Sequence, residues 1–238
     1  MINTPYFVVA GPGGFKGPLL DAYLAAGYYR MLHTVFTTNN TRVDMEGEDL
    51  PVFWLRTQVK NITESSSALS LRKKCAAFTV TCKPATITAE TETLYDLYHS
   101  VIDFSTGGTV YDCLHDSRLP NPFDSRMIEI RDGNTLVAVG YFDFGQQAIS
   151  GILNFYHPAY KKYSLGKYLI LQKIDWALAN NIPLYYTGYI STAITKFDYK
   201  LFPAKAAIEL YLPVEATWVS YHLLEKEWLE AYYENHFT

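Results

Sequence analysis

Cysteine is scarce. Cys75, Cys82 and Cys113 are the only three in 238 residues, and none belongs to a CxxC pair. Three thiols cannot all pair with one another, so neither a disulfide framework nor a zinc cage is expected, and a reducing cytoplasm fits best. Long apolar runs are also missing. No stretch approaches the ~20 residues a membrane helix needs, so no membrane contact is expected. The opening MINTPYFVVAGPGGF lacks a basic region and has too short an apolar run for a signal peptide. The sequons at Asn39 and Asn61 therefore carry little weight. Six histidines lie scattered without ligand spacing, so no metal is expected. A surplus of positive charge is absent as well: 20 Lys+Arg stand against 24 Asp+Glu, a net −4. That excludes a uniformly basic nucleic-acid binder. No short-period repeat is present.

What is present is an ordinary globular composition, 49% hydrophobic and 16% aromatic, with 20 tyrosines. The length allows one large domain or two fused lobes. Residues 18–26 have helical apolar spacing and end at Gly27. Residues 28–38 and 50–59 read as strands, separated by a loop marked by Asn39-Asn40 and Glu46-Gly47. The serines at 65–67 cap a short helix carrying Arg72, Lys73 and Lys74, and 78–82 reads as a strand. Thr88 to Phe104 reads as a helix broken by Gly107-Gly108, with a shorter helix after it. Asp132-Gly133 then marks a type I′ turn between two strand-like runs, and 146–156 adds a third strand, giving an antiparallel meander. Residues 163–181 form a helix with Ser164 as N-cap and Leu165, Tyr168, Leu169, Leu171 and Ile174 on its apolar face. Pro183 opens a buried strand, another lies near 206–212, and 220–237 reads as an acidic amphipathic helix.

Meander, helix, strand, strand is the order of the acyltransferase core of the N-acetyltransferase (GNAT) superfamily. The fold expected is α+β, with a GNAT-like core over residues 91–238 and a smaller N-terminal α/β lobe over 1–90. In such a core the central helix begins where coenzyme A phosphates bind, because free N–H groups and the helix dipole face the anion. Here that start is Ser164-Leu165-Gly166, which also suits an ordinary capped helix. The Arg/Gln- and Gly-rich pyrophosphate turn usual for coenzyme A is not matched.

Residues 154–203 are more specific. Tyr156-His157-Pro158, Ser164-Leu165-Gly166, Tyr186-Thr187-Gly188-Tyr189, Tyr199-Lys200 and Phe202-Pro203 follow one another in the order and spacing of a known family. The segment resembles the C-terminal half of arginyl-tRNA–protein transferases and their bacterial leucyltransferase relatives. The first half resembles the family more loosely, through Leu19–Arg30, Val52–Val59 with Arg56, Ser70–Lys74, and Leu94-Tyr95 with Tyr98-His99. The chain departs from the family in three places. Residues 36–53 contain no cysteine where the family has a pair. The family's Arg-His is replaced near Val101-Ile102-Asp103. The Asp of its Asp-Pro is His157.

The resemblance implies transfer of an amino acid, arginine or leucine, from charged tRNA to the α-amine of proteins with acidic N-termini, marking them for degradation. No cofactor is implied beyond the aminoacyl-tRNA co-substrate. The reaction is aminolysis of an activated ester by an amine of pKa ~8, so orientation and oxyanion stabilisation can supply most of the rate. An acidic acceptor calls for a cation, for which Arg30 and Arg56 are candidates beside the alternative of surface strand arginines. Arg72, Lys73 and Lys74 suit the tRNA backbone, or a solvated face; Lys161, Lys162 and Lys167 join them around the helix start. Ser164 and Gly166 would meet the tRNA 3′ end. Tyr186, Gly188 and Tyr189 would line the cleft, the two phenols as catalytic candidates, unless they are core tyrosines. Lys200, after Tyr199, would contact a phosphate or the donor ester.

The net charge hides a segregation. Residues 155–205 hold seven lysines against Asp175 and Asp198, whereas 206–238 hold six glutamates against Lys226. A local cationic cleft is therefore expected, with weak, salt-sensitive tRNA binding. Two rival readings are a coenzyme A-dependent N-acetyltransferase on the same fold and a tRNA- or peptide-binding relative without catalysis.

Overall fold

A computed structural model of the chain describes residues 6–42, 49–103, 106–114 and 119–237. In chain order these give β1 (Tyr6–Val9), α1 (Pro18–Ala25), β2 (Tyr29–Met31), β3 (Thr34–Thr37), β4 (Asn40–Thr41) and β5 (Leu50–Pro51). Next come β6 (Phe53–Gln58), α2 (Ser66–Lys74), β7 (Thr79–Pro84), α3 (Ala89–His99) and α4 (Val110–Leu114). The meander is β8 (Ser125–Asp132), β9 (Thr135–Phe144) and β10 (Ala148–Tyr156). The chain continues through α5 (Leu165–Ala179), β11 (Leu184–Ile190), β12 (Ile208–Leu212), β13 (Thr217–Ser220) and α6 (Lys226–Phe237). The expected loop marker Glu46-Gly47 and the expected helix end at Phe104 lie outside the described residues.

The protein is α+β, built on one mixed sheet of eight strands in the order β13-β12-β6-β11-β10-β9-β8-β7. Only β10 and β11 pair in parallel; every other neighbour pair is antiparallel. The parallel pair requires a crossover, which α5 supplies. β6 comes from the first quarter of the sequence yet lies between β11 and β12 from the last quarter. The boundary expected near residue 90 falls between β7, an edge strand of this sheet, and α3. A separate three-stranded sheet, β1-β3-β2, packs its Val35 and Tyr29 into a core shared with Trp54 and Tyr186.

α5 explains where the site sits. Leu165, Leu169, Lys173 and Ala177 recur at four-residue intervals and are all fully buried against the sheet. Each buried leucine contributes about 1.5–3 kcal/mol by removal from water. The stripe is apolar except at Lys173, whose charge needs a reason to be there.

Three local expectations are corrected. Residues 28–38 are not one strand but the hairpin β2–β3, turned at Leu32-His33, with Leu32 at φ 54°. The β8–β9 turn is Gly133-Asn134, because Asp132 already pairs with Thr135. Only Gly133 of these two takes a positive φ, so the turn is not type I′, which needs both. Ser164 stands at the N-cap of α5, but in the left-handed region (φ 51°, ψ 46°) and without a side-chain capping bond. α2, by contrast, is capped by Ser65, whose Oγ accepts from the Ala68 amide at 3.3 Å. β1 and β13 were not anticipated.

Candidate active site

The parallel pairing of β10 with β11 runs from Ala148–Leu184 to Ser150–Tyr186 and stops there. Both strands change register just beyond that point: β10 against β9 between Gly151 and Leu153, and β11 against β6 between Tyr186 and Gly188. Each bulge bends its strand. The two strands part, and a cavity of about 240 Å³ opens between them. Gly151 to Asn154 border it from β10 and Thr187 to Tyr189 from β11. A second cavity of about 420 Å³ lies at the start of α5, bordered by Ser164, Gly166, Lys161, Lys167 and Lys196. Asn154 and Tyr199 border both cavities and mark the junction between them.

Three glycines on adjacent strands make the space. A Cβ on Gly140 of β9 would stand 2.7 Å from Asn154 Oδ1 and 3.2 Å from Lys173 Cε. A Cβ on Gly151 of β10 would stand 2.9 Å from the Tyr185 hydroxyl. Gly188 of β11, at φ 99°, faces Lys200, whose Nζ would be 3.2 Å from an added Cβ. The polar side chains of the inner cavity thus rest against backbone that carries no side chain of its own.

Two lysines meet in that cavity. Lys173 Nζ donates to the Tyr141 carbonyl and to Asn154 Oδ1, both at 2.8 Å. Burial pulls its pKa down to about 7 despite the opposing attraction of Asp143. Lys200 Nζ donates to the Tyr189 carbonyl at 2.7 Å and lies 4.7 Å from the ring centroids of Tyr189 and Phe197. Burial also pulls it to about 7. No carboxylate pairs with either amine among the described residues. Thr187 Oγ1, also in the cavity wall, is buried without a hydrogen-bond partner.

The residues expected to form the site separate into groups. Tyr189, Gly188, Tyr199 and Lys200 border the inner cavity, and Ser164, Gly166, Lys161 and Lys167 the outer one. Tyr186 does not border either cavity. It is fully buried, edge-on to Tyr29 and Trp218, and the neighbouring Tyr185 takes its place in the wall. Arg30 borders the inner cavity, but its five N–H donors all end inside the protein, on Leu32 O, Ser125 Oγ, Asp143 Oδ1, Leu114 O and Asn121 Oδ1. No donor remains for a substrate carboxylate. Arg56 is cross-strand from Glu209, donates to it at 2.6 Å and stacks on Trp218, away from both cavities. Arg72 is held by Glu64 and Asp175 and ties α2 to α5. Lys73 is exposed, and Lys74 bonds the Lys162 carbonyl. These last four basic residues are therefore not gathered at the cavities.

Asn154 and Lys173 were missed as site residues. Lys173 was visible only as a charge breaking the four-residue apolar stripe of α5. Asn154 carried no sequence signal, since its position depends on the bulge before it.

Residues 90–204 match the family described as "Arginine-tRNA-protein transferase, C terminus". The matched segment is just under half of the chain and contains both the meander and α5. It is 32% identical over 109 residues to arginyl-tRNA–protein transferase 1 of Arabidopsis thaliana, covering 44% of this chain and 17% of that protein. It is 32% identical over 146 residues to the aspartate/glutamate leucyltransferase of Paracoccus denitrificans, covering 53% of this chain and 51% of that one. The chain thus spans about half or less of the length of these curated relatives. Among solved structures, it is similar to the C-terminal domain of a putative lysylphosphatidylglycerol synthetase from Agrobacterium fabrum, with TM-score 0.45 and 10% identity over 60% of this chain and 48% of that one. No helix among the described residues is long and apolar enough to cross a membrane.

Proposed function

We propose that the chain is an aminoacyl-tRNA–protein transferase, moving arginine or leucine from charged tRNA to the α-amine of proteins with acidic N-termini. The observation that carries this reading is the pair of joined cavities at the splayed β10–β11 strands, lying inside the segment that matches the family. Two substrates must meet at one point, and two openings meet at Asn154 and Tyr199. The outer opening suits the tRNA end. It has the α5 N-terminus, where the Leu165 and Gly166 amides precede the first intrahelical bond, together with Lys161 and Lys167. Tyr98 and Tyr156 add flat aromatic surface for a base. The inner opening suits the acceptor. Lys200 is its cation for an acidic side chain in place of Arg30 and Arg56, whose charges are already matched by Asp143 and Glu209. A splayed parallel pair with a helix crossover also supports a GNAT-like core.

The test is a transfer assay with arginyl- and leucyl-tRNA and peptides beginning with Asp, Glu or Ala. Transfer to the Asp and Glu peptides with one of the two donors is expected. Absence of transfer with both donors overturns the reading, and saturable acetyl-coenzyme A binding at the α5 start would favour an acetyltransferase instead.

A further inference from the structure

Asn154 stands where the two cavities join, and its side chain is held from one side only. Its Oδ1 accepts from Lys173 Nζ at 2.8 Å, and Gly140 leaves the room in which that oxygen sits. Its Nδ2 has no hydrogen-bond partner among the described residues and is not sealed from the cavities. Lys173 is anchored in turn by the Tyr141 carbonyl and buried in the α5–sheet interface. An ammonium can only donate, and an amine that spends its hydrogens on two oxygens is still a donor to Asn154. The lysine therefore selects one of the two amide orientations: oxygen inward to Lys173, N–H groups outward to the junction.

Resting on the transferase reading above, we propose that Asn154 is a catalytic residue that donates from Nδ2 to the oxyanion formed during transfer, with Lys173 as its positioning residue. The acceptor ammonium first loses one proton to water. Its nitrogen then attacks the ester carbonyl carbon, forming the C–N bond and moving the carbonyl π pair onto oxygen. That oxyanion accepts from Nδ2. As the tetrahedral centre collapses, the C=O bond re-forms, the bond to the ribose oxygen breaks, and that oxygen leaves with the second proton of the attacking nitrogen. The products are the amide and the ribose hydroxyl. A donor fixed before the reaction begins needs no reorganisation as charge develops, and this is why the anchoring matters as much as the amide.

The experiment compares the parent chain with Asn154→Ala, Asn154→Asp, Lys173→Met and the double variant Asn154→Ala/Lys173→Met in single-turnover transfer. Asn154→Ala and Asn154→Asp should lower the transfer rate by about 100-fold or more. The apparent affinities for charged tRNA and peptide should stay within about threefold, since the contact forms only as the oxyanion does. Lys173→Met should lower the rate less, and the double variant should be no slower than Asn154→Ala, because the two residues act as a unit. An adenosine phosphonate that mimics the tetrahedral centre adds a readout that misfolding does not imitate. Asn154→Ala should lose affinity for it by the same factor as the rate, while binding the planar aminoacyl-adenosine as the parent does. Transfer by the parent together with an Asn154→Ala rate within about threefold of it overturns the inference alone. Additive effects of the two substitutions overturn the positioning role of Lys173. A parent chain with no transfer from either donor overturns the transferase reading and this inference with it.

Discussion

The Arg30 guanidinium is bound at five points inside the protein and is almost sealed from solvent, as is its partner Asp143, 2.8 Å away. Burial pushes the Asp143 carboxyl above its ordinary range against the pull of Arg30. Arg30→Met would leave that carboxylate without its cation and should destabilise the fold by about 3–5 kcal/mol, measured by urea unfolding. A loss below ~1 kcal/mol would show that the pair is structurally idle. Lys173 gives a second test. Its folded pKa is about 7 against 10.5 for a free lysine. Between those values the unfolded chain binds more protons, so stability from this site rises with pH across that window and is lowest below it. Asp143 and Arg30 are the charges facing it from β9 and β2, and Lys200 titrates in the same range across the cavity. The comparison must therefore be between variants. Lys173→Met should gain more in melting temperature over the parent at pH 6 than at pH 9, and equal gains would contradict the burial argument. At this scale the sequence was a partial guide. The family resemblance singled out Tyr189, Gly188, Tyr199 and Lys200, and all four border the inner cavity. Arg30 was legible only as a cation, because a sequence shows a charge but not the carboxylate that will neutralise it from 113 positions away.

Elements were easier to read than their irregularities. α5 and the meander followed from periodicity and turn residues, since a buried face imposes its own spacing on the chain. The bulges at Gly151–Leu153 and Tyr186–Gly188, which open the cleft, left no such trace: one inserted residue shifts pairing without changing composition. The same holds for the hairpin hidden in residues 28–38, whose turn uses Leu32 rather than glycine. β9 supplies a test of the cleft's construction. Gly140→Ala would press most closely on Asn154 Oδ1 and less closely on Leu169 Cδ2 and Lys173 Cε, all side-chain atoms and not backbone. The strand should survive, with the melting temperature within a few degrees of the parent, while the transfer rate falls at least tenfold as the amide is displaced. An unchanged rate would show that the amide orientation is not used.

For the whole molecule, the segregation of charge survives folding in altered form. Of the seven lysines in residues 155–205, Lys161, Lys162, Lys167, Lys196 and Lys205 are exposed, while Lys173 and Lys200 turn into the cavity. If the exposed ones near the α5 start neutralise about three phosphates of a single-stranded tRNA end, log affinity should fall against log salt with a slope of about −2. Replacing Lys161 and Lys167 together by alanine should flatten that slope by about 1.4, and an unchanged slope would move the tRNA path elsewhere. The expected division into an N-terminal and a C-terminal lobe was drawn from sequence order. Sequence order does not show that β6 enters the middle of a sheet whose other central strands come much later. That interleaving has a consequence in time. On a ribosome, β6 is complete about 6–25 s before β11 is even made, at the usual 5–20 residues per second. For that interval, Phe53, Trp54 and Leu55, all buried in the finished protein, have no sheet to enter. The chain's exposure to aggregation is thus set by the wait for its own distant partner strands, and nascent chains arrested before β11 should bind hydrophobic holdase chaperones through this segment and release it once β12 has emerged.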